Sequence, residues 1–345
     1  MNLISIEDVE SGMMLARDVI NDLGIIFMSA GSELNPASIE GLKKLDIDFV
    51  YVKEENEVHE RVDINTISVE QAYSRLLTIY KTVYTNVRLG KSLNVEQLSL
   101  ETLPLFRKIT EDNNILDYMR RVIVDEPYIY KHSVNVGIFS MIIGRWLNLK
   151  TYIQDDLAIV GLLHDIGKSK VSPEIINKPG DLTNDEYELI KHHARFGHEI
   201  LQMSTGISNS VLEGIKYHHE RIDGSGYPEG RQGTAIPLYA KVVAVADVFD
   251  AITENKTYRA KVSVYAAARV LKTESFNKLE PKITEVFLKN ISRFYVGNKV
   301  KLNSGDVGEV ILLNKTDVTR PLIKIGEQYI DLSTNFKLEI IDVVS

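Results

Sequence analysis

A mainly α chain is predicted, with an all-helical body between a small mixed α/β segment and a small β segment. Three observations predict it. From about residue 66 to about 292 apolar residues recur at helical spacing, as in Leu76, Leu77, Tyr80, Val83 and Tyr84, and again in Ile115, Met119 and Val122. On either side of that stretch, short apolar runs alternate with turn signals instead. Hydrophobic residues make up 44% and charged residues 26% of 345 residues, the usage of a soluble globular chain long enough for two or three domains.

The elements follow in order. Residues 1–60 read as a small mixed domain. Asn21-Asp22-Leu23-Gly24 and Ser29-Ala30-Gly31-Ser32 are turns, with Ile25–Met28 a strand between them. Pro36 to Leu45 is a short helix, Phe49–Val52 a closing strand, and the charged run Glu54–Asp63 a linker. Residues 66–292 form the helical domain. Within it, Thr183 followed by Glu186 makes a capping box that starts a helix running to about Met203. Loops rich in Gly, Pro and Asp fall at 177–181 and 221–237. Residues 293–345 form a β-rich domain: Lys299–Leu302 and Val307–Leu313 flank the turn Asn303-Ser304-Gly305-Asp306, and Leu322–Ile325 and Leu338–Ile341 are further strands.

Composition excludes several classes. There is no cysteine, so any metal site must be built from imidazole and carboxylate. The net charge of −8 and the lack of a basic patch argue against polymeric nucleic acid as a partner. Residues 1–20 lack the basic start and apolar core of a signal peptide, and the best apolar stretch, Val134 to Leu149, is interrupted by Asn135, Gly137, Gly144, Arg145 and Asn148. A soluble cytoplasmic protein without membrane insertion is the expectation.

Seven of the eight histidines lie between residues 132 and 219. His132 opens an apolar helix. His164 and Asp165 stand in Leu162-Leu163-His164-Asp165-Ile166-Gly167-Lys168, and His192, His193 and His198 follow Thr183. His218-His219 precede Glu220-Arg221-Ile222-Asp223-Gly224-Ser225-Gly226-Tyr227-Pro228, and Asp247 sits among the valines and alanines of 242–249. Taken singly, each has an ordinary reading. A lone histidine on an apolar helix is usually a hydrogen-bonded structural residue, and a buried arginine or a helix N-terminus would also meet Asp247, whose carboxylate cannot be buried bare. Taken together, they are the ligand types of Mn, Fe or Zn, and a shared Asp165 is a natural bridge between two cations about 3.5–4 Å apart. Neighbouring residues on a helix diverge by about 100°, so the His164-Asp165 and His218-His219 pairs are expected near helix ends.

These two motifs, in this order, resemble those of the HD-GYP family, a branch of the HD phosphohydrolase superfamily. The resemblance covers about residues 66–292. It implies a bacterial signalling phosphodiesterase that hydrolyses the cyclic dinucleotide cyclic di-GMP to pGpG, in some members further to GMP, at a binuclear centre of two divalent transition metal ions, iron or manganese before zinc. It maps the superfamily's ligand quartet to His132, His164, Asp165 and Asp247, and the additional histidines to His193, His218 and His219. Asp165 and Lys168 are the implied catalytic residues. Lys168, Lys256, Arg259 and Tyr227 are the implied substrate contacts, and Lys168 is expected on the helical side of His164. Tyr128 stands where members with a third metal carry a glutamate, which argues for two ions. Lys256-Thr257-Tyr258-Arg259 replaces the usual Arg-Pro-Tyr-Arg, keeping the charge but losing one guanidinium fork. Asp250 is expected to orient neighbouring groups. The Gly226-Tyr227-Pro228 loop reads equally well as a tight turn or as a substrate contact. His192, His198 and His59 read as surface or capping residues. Homodimerisation rests on analogy alone.

Two other readings stay open at this stage: a non-catalytic sensor of cyclic di-GMP, for which Lys256 and Thr257 leave room, and a hydrolase of another cyclic dinucleotide.

Overall fold

The computed structural model describes residues 2–344 except 7, 17–18, 21–25, 30, 46, 48, 53–63, 65, 112–125, 179, 254–263, 275, 294–295 and 316. The Asn21–Gly24 turn, the linker with His59, and the positions Ile115, Met119, Val122, Lys256 and Arg259 therefore lie outside the described residues. The chain divides into two compact units, residues 1–66 and 67–345.

In the first unit, β1 (Asn2–Ser5) pairs antiparallel with β4 (Phe49–Val52), Asn2 opposite Val52 and Ser5 opposite Phe49. A second small ladder joins β2 (Val19–Ile20) to β3 (Ile26–Met28). Helix α1 (Pro36–Lys44) starts where Asn35 and Ser38 cap each other reciprocally and Pro36 occupies the first turn, a position that needs no N–H. Leu15, Leu34, Leu42, Val50 and Val52 form the core between them.

The second unit is built on helices. Helix α2 (Val69–Arg88) begins at a capping box of Ser68 and Gln71, and α3 (Val95–Glu111) follows. Next come α4 (Tyr128–Trp146) and α5 (Thr151–Leu163), then a 3₁₀ helix over Ile166–Lys170. After the short α6 (Pro173–Ile176) come α7 (Asn184–Lys191), α8 (His193–Gln202) and α9 (Asn209–Tyr217). Helices α10 (Leu238–Thr253), α11 (Val264–Glu274) and α12 (Pro281–Arg293) complete the helical part.

The sequence explains which helices lie at the centre. Helix α4 is apolar nearly all round, and its residues from Ser133 to Gly144 are buried except Asn135; α10 likewise buries Val242 to Ala246. A helix without a polar face belongs in the interior. Phe139 of α4, Phe249 of α10 and Phe287 of α12 meet edge to face, with ring centroids 4.7–6.2 Å apart. Each such ring contributes roughly 1.5–3 kcal/mol by burial and about 0.5–1.5 kcal/mol more by ring geometry. That cluster fixes α4 against α10, the two helices that carry His132, Asp247 and Asp250. No helix among the described residues is long and apolar enough to cross a membrane.

Five antiparallel strands close the chain: β5 (Lys299–Leu302), β6 (Val307–Leu312), β7 (Leu322–Ile325), β8 (Gln328–Asp331) and β9 (Ile340–Val344). They lie in the order β8-β7-β6-β5-β9 over a core of Val300, Leu302, Val310, Ile323 and Leu332. Arg269 of α11 ties this sheet to the helices through Glu339 at 2.6 Å.

The mainly helical class with a β tail is as expected; two local expectations need correction, and one strand is unanticipated. The helix predicted from Thr183 to about Met203 breaks at His192. The last turn of α7 tightens there, His192 N–H reaching Leu189 O at 3.2 Å, and the chain redirects so that α8 packs on the 3₁₀ helix. Strand β8 lacks the dense apolar signal of its neighbours, because only Tyr329 and Ile330 are apolar in Gln328–Asp331. The last strand starts at Ile340 rather than Leu338, since Asn303 takes up Glu339 by a side-chain hydrogen bond first.

Candidate metal centre

Three of the histidines are held in the same tautomer by what their Nδ1 atoms touch. The last carbonyls of an α-helix have no partner within the helix. His164 directly follows α5 and places its Nδ1 2.7 Å from Gly161 O; His193 follows α7 and places its own 2.7 Å from Ile190 O; His218 follows α9 and reaches Ile215 O at 2.6 Å. A carbonyl oxygen only accepts, so each Nδ1 carries the proton and each Nε2 is left with a bare lone pair. His132 lies inside α4 and is anchored differently: its Nδ1 is 2.7 Å from Asp250 Oδ2, while Asn135 Nδ2 donates to Asp250 Oδ1 at 2.9 Å.

The Nε2 atoms converge on Asp165. Its Oδ1 lies 3.3 Å from His193 Nε2, and its Oδ2 lies 3.4 Å from His164 Nε2 and 3.8 Å from His132 Nε2. The carboxylate is 1% exposed. Two ligand sets result, His132, His164 and Asp165 on one side and Asp165, His193, His218 and His219 on the other, with the donor atoms of each set within 4.8 Å of one another. Asp247 stands beside both, its Oδ1 3.1 Å from His132 Nε2 and its Oδ2 3.9 Å from His219 Nδ1.

This donor set fits divalent cations and fits little else. His193 Nε2 and His218 Nε2 are 3.3 Å apart, lone pair toward lone pair. His164 Nε2 and Asp165 Oδ1 are buried and have no hydrogen-bond partner. Leaving such groups unsatisfied costs about 1–3 kcal/mol each, more when charged. A cation between them removes all three penalties together.

The electrostatics agree. Burial alone would push Asp165 up, but its contacts with His164 and the Lys168 ammonium outweigh it and hold the carboxyl well below the usual range. Asp247 is held down likewise, burial being overcome by His132. Burial pushes His193 down to about 4 and, with the neighbouring imidazoles, pushes His218 and His219 well below the usual histidine value. Those three are neutral at pH 7, the form that ligates. His132 is the exception: burial opposes its charge, yet hydrogen bonds to Asp247 and Asp250 raise it to about 10. Without a metal, an imidazolium supplies the positive charge that these carboxylates need.

The glycines and Glu220 shape the frame. A Cβ on Gly167 would sit 1.9 Å from His193 O, so only glycine lets the 3₁₀ helix approach α8. A Cβ on Gly226 would meet Arg221 N at 2.4 Å and His219 O at 2.5 Å. Glu220, 2% exposed, accepts from Glu229 N at 2.8 Å and from Arg231 N at 2.9 Å, pinning the loop after the paired histidines. Sequence reasoning passed over Glu220, although its place directly after His218-His219 was a signal. It also passed over Asn135, and over the ring of Tyr128, which stacks on His132 with centroids 5.0 Å apart.

Of the residues singled out from sequence, His132, His164, Asp165, His193, His218 and His219 come together, with Asp247 adjacent. Tyr227 stacks on His219 at 4.6 Å and 28°. Lys168 differs from expectation. It does not project from a helix alongside His164 but turns within the 3₁₀ segment, where its Nζ lies 2.5 Å from Asp165 Oδ2. His192 is exposed and His198 half-buried, and neither belongs to either ligand set.

Comparison with known proteins places this frame. Residues 117–283 match the HD domain family model. The chain is 31% identical over 252 residues to a cyclic di-GMP phosphodiesterase of Pseudomonas aeruginosa, an alignment covering 73% of this chain and 61% of that protein. It is 35% identical over 202 residues to 3'3'-cGAMP-specific phosphodiesterase 1 of Vibrio cholerae, covering 57% and 47%. The chain thus spans about half to three fifths of these relatives' lengths. Among solved structures, an HDG"Y"P protein from Bdellovibrio bacteriovorus shares the fold, with a TM-score of 0.55 at 18% identity, covering 84% of this chain and 99% of that one. Residues 117–283 are thus similar to the HD domain family. The family resemblance carried by its motifs is borne out.

Two outcomes follow from the geometry. Asp250→Asn leaves His132 without its charged anchor and is expected to cost about 10–100-fold in metal affinity, read by competition with a chelating dye. The pH effect has a definite sign. A histidine depressed in the folded state and ordinary in the unfolded state stabilises the fold above its unfolded value, and that stability is lost as pH falls toward the folded value. For His193 the window runs from 6.5 down to about 4. Thermal melts of chelator-stripped protein should fall steadily across that window, and a flat profile would contradict the neutral-imidazole account.

Proposed function

We propose that this chain is a metal-dependent phosphodiesterase that opens a cyclic dinucleotide, cyclic di-GMP foremost, at two divalent cations. The observation that carries the reading is the shared carboxylate: the two oxygens of Asp165 face two different sets of imidazoles. Asp165 would bridge, with His132, His164 and Asp247 on one side and His193, His218 and His219 on the other. Iron or manganese suits this imidazole–carboxylate set, with zinc as a third choice. Two ions rather than three is supported by Tyr128, which offers a neutral phenol and a ring stacked on His132.

Divalent cations in such a site lower the pKa of water to near neutrality and neutralise charge developing on phosphoryl oxygens. The protein's own groups do the rest. Asp165 stays ionised at any working pH, because Lys168 and the imidazoles hold it so. The Lys168 ammonium, 2.5 Å from that carboxylate, meets a phosphate oxygen arriving there with a charge-assisted hydrogen bond. Tyr227, held against His219, forms one wall of the approach and is suited to stack on a nucleobase.

A second reading, cyclic GMP-AMP as the substrate, is favoured by the relative that is 35% identical and specific for it. Incubation with manganese or ferrous iron and a panel of cyclic dinucleotides, with products separated by chromatography, decides between them. We expect conversion of cyclic di-GMP to pGpG, and expect Asp165→Ala to lose both metal and turnover. A variant that cleaves at the wild-type rate would contradict the bridging role, and tight binding without any product would favour a sensor.

A further inference from the structure

We infer that Lys191 is a second phosphate-binding residue of this site, taking the diester of the cyclic dinucleotide that is not cut. The inference rests on the cyclic-dinucleotide reading above. A cyclic dinucleotide carries two phosphodiesters, and both are anionic at neutral pH. The one at the ligand sets is met there, with Lys168 beside it at 2.5 Å from Asp165. The other enters the same cleft of a chain whose net charge is −8 and needs a cation of its own, because a desolvated anion without one is costly.

Among the described residues, few cations near the Tyr227 turn are available for that work. Arg221 donates to the carbonyls of His218 and Glu220, and Arg195 donates to the carbonyl of Pro228, so both hold the main chain. Lys191 holds no part of the frame. It is the last residue of α7, two before His193, and its Nζ lies 5.0 Å from the ring centroid of Tyr187 and 5.7 Å from that of Tyr227. Tyr227 in turn stacks on His219. Ammonium, phenol ring and ligand imidazole thus form one continuous series from the rim to the ligand sets.

Two features make this ammonium a receptor for an anion. Cation–π contact with two rings restrains a flexible side chain before any ligand arrives. Its one ion pair among the described residues, with Glu188 at 2.6 Å, is to a carboxylate 64% exposed, and solvent-exposed pairs of this kind exchange partners at little cost. A phosphate displacing Glu188 would meet a cation already in position, with a tyrosine ring alongside for a base.

Steady-state kinetics of Lys191→Gln and Lys191→Arg test this, with whichever cyclic dinucleotide the wild type cuts and with bis(p-nitrophenyl) phosphate, which has a single diester. Losing a charge-assisted hydrogen bond predicts a KM for the cyclic dinucleotide raised about 10- to 100-fold in Lys191→Gln, with kcat changed less than about threefold. The preference for the cyclic dinucleotide over the nitrophenyl diester should fall by the same factor, and Lys191→Arg should recover most of it at equal metal content. A KM changed less than about twofold, or an equal loss on both substrates, would overturn the role of Lys191. A wild type that cleaves the nitrophenyl diester and no cyclic dinucleotide would instead overturn the substrate reading, and this proposal with it.

Discussion

One buried carboxylate sets the terms for the rest of the helical unit. Asp165 is almost wholly out of solvent, and a bare anion there would be prohibitively costly. The surrounding structure supplies imidazole nitrogens on both sides, and those nitrogens are aimed by helix ends. His164, His193 and His218 each use the carbonyl three residues back, so that one hydrogen bond satisfies a helix terminus and also selects the tautomer. The same contact that ends the helix prepares the ligand.

The frame around this arrangement is tight where it must be. Gly167 lets the 3₁₀ segment touch α8, Gly226 lets the loop fold back over His219, and Glu220 holds that loop through two main-chain N–H groups. The Phe139, Phe249 and Phe287 cluster sets the spacing of α4 and α10, and so the distance between His132 and the pair Asp247 and Asp250. Residues of the two motifs thus divide into those that could hold a metal ion and those that let the backbone come close. Replacing the second kind would misplace the first.

Much of this was legible in the sequence, for definite reasons. The ligand histidines could be read because imidazoles crowd into one stretch of a cysteine-free chain, and because His164-Asp165 and His218-His219 come with long, ordered motifs. The interior helices could be read because α4 and α10 lack a polar face. What escaped was geometry that depends on tertiary contact. The break at His192 carries no helix-breaking residue, since it follows from how α8 meets Gly167. Spacing put Lys168 beside His164, but a 3₁₀ turn winds more tightly than an α-helix and brings it to Asp165 instead. Glu220 stood in a legible place after His218-His219, but its hold on the loop appears only when the folded loop covers it.

The measurement that bears most directly on the shared carboxylate is anomalous diffraction from crystals of the protein soaked with manganese. The account predicts two peaks per chain, one on each side of Asp165, one among His132, His164 and Asp247 and the other among His193, His218 and His219. A single peak, or two peaks with Asp165 bound to neither, would contradict it.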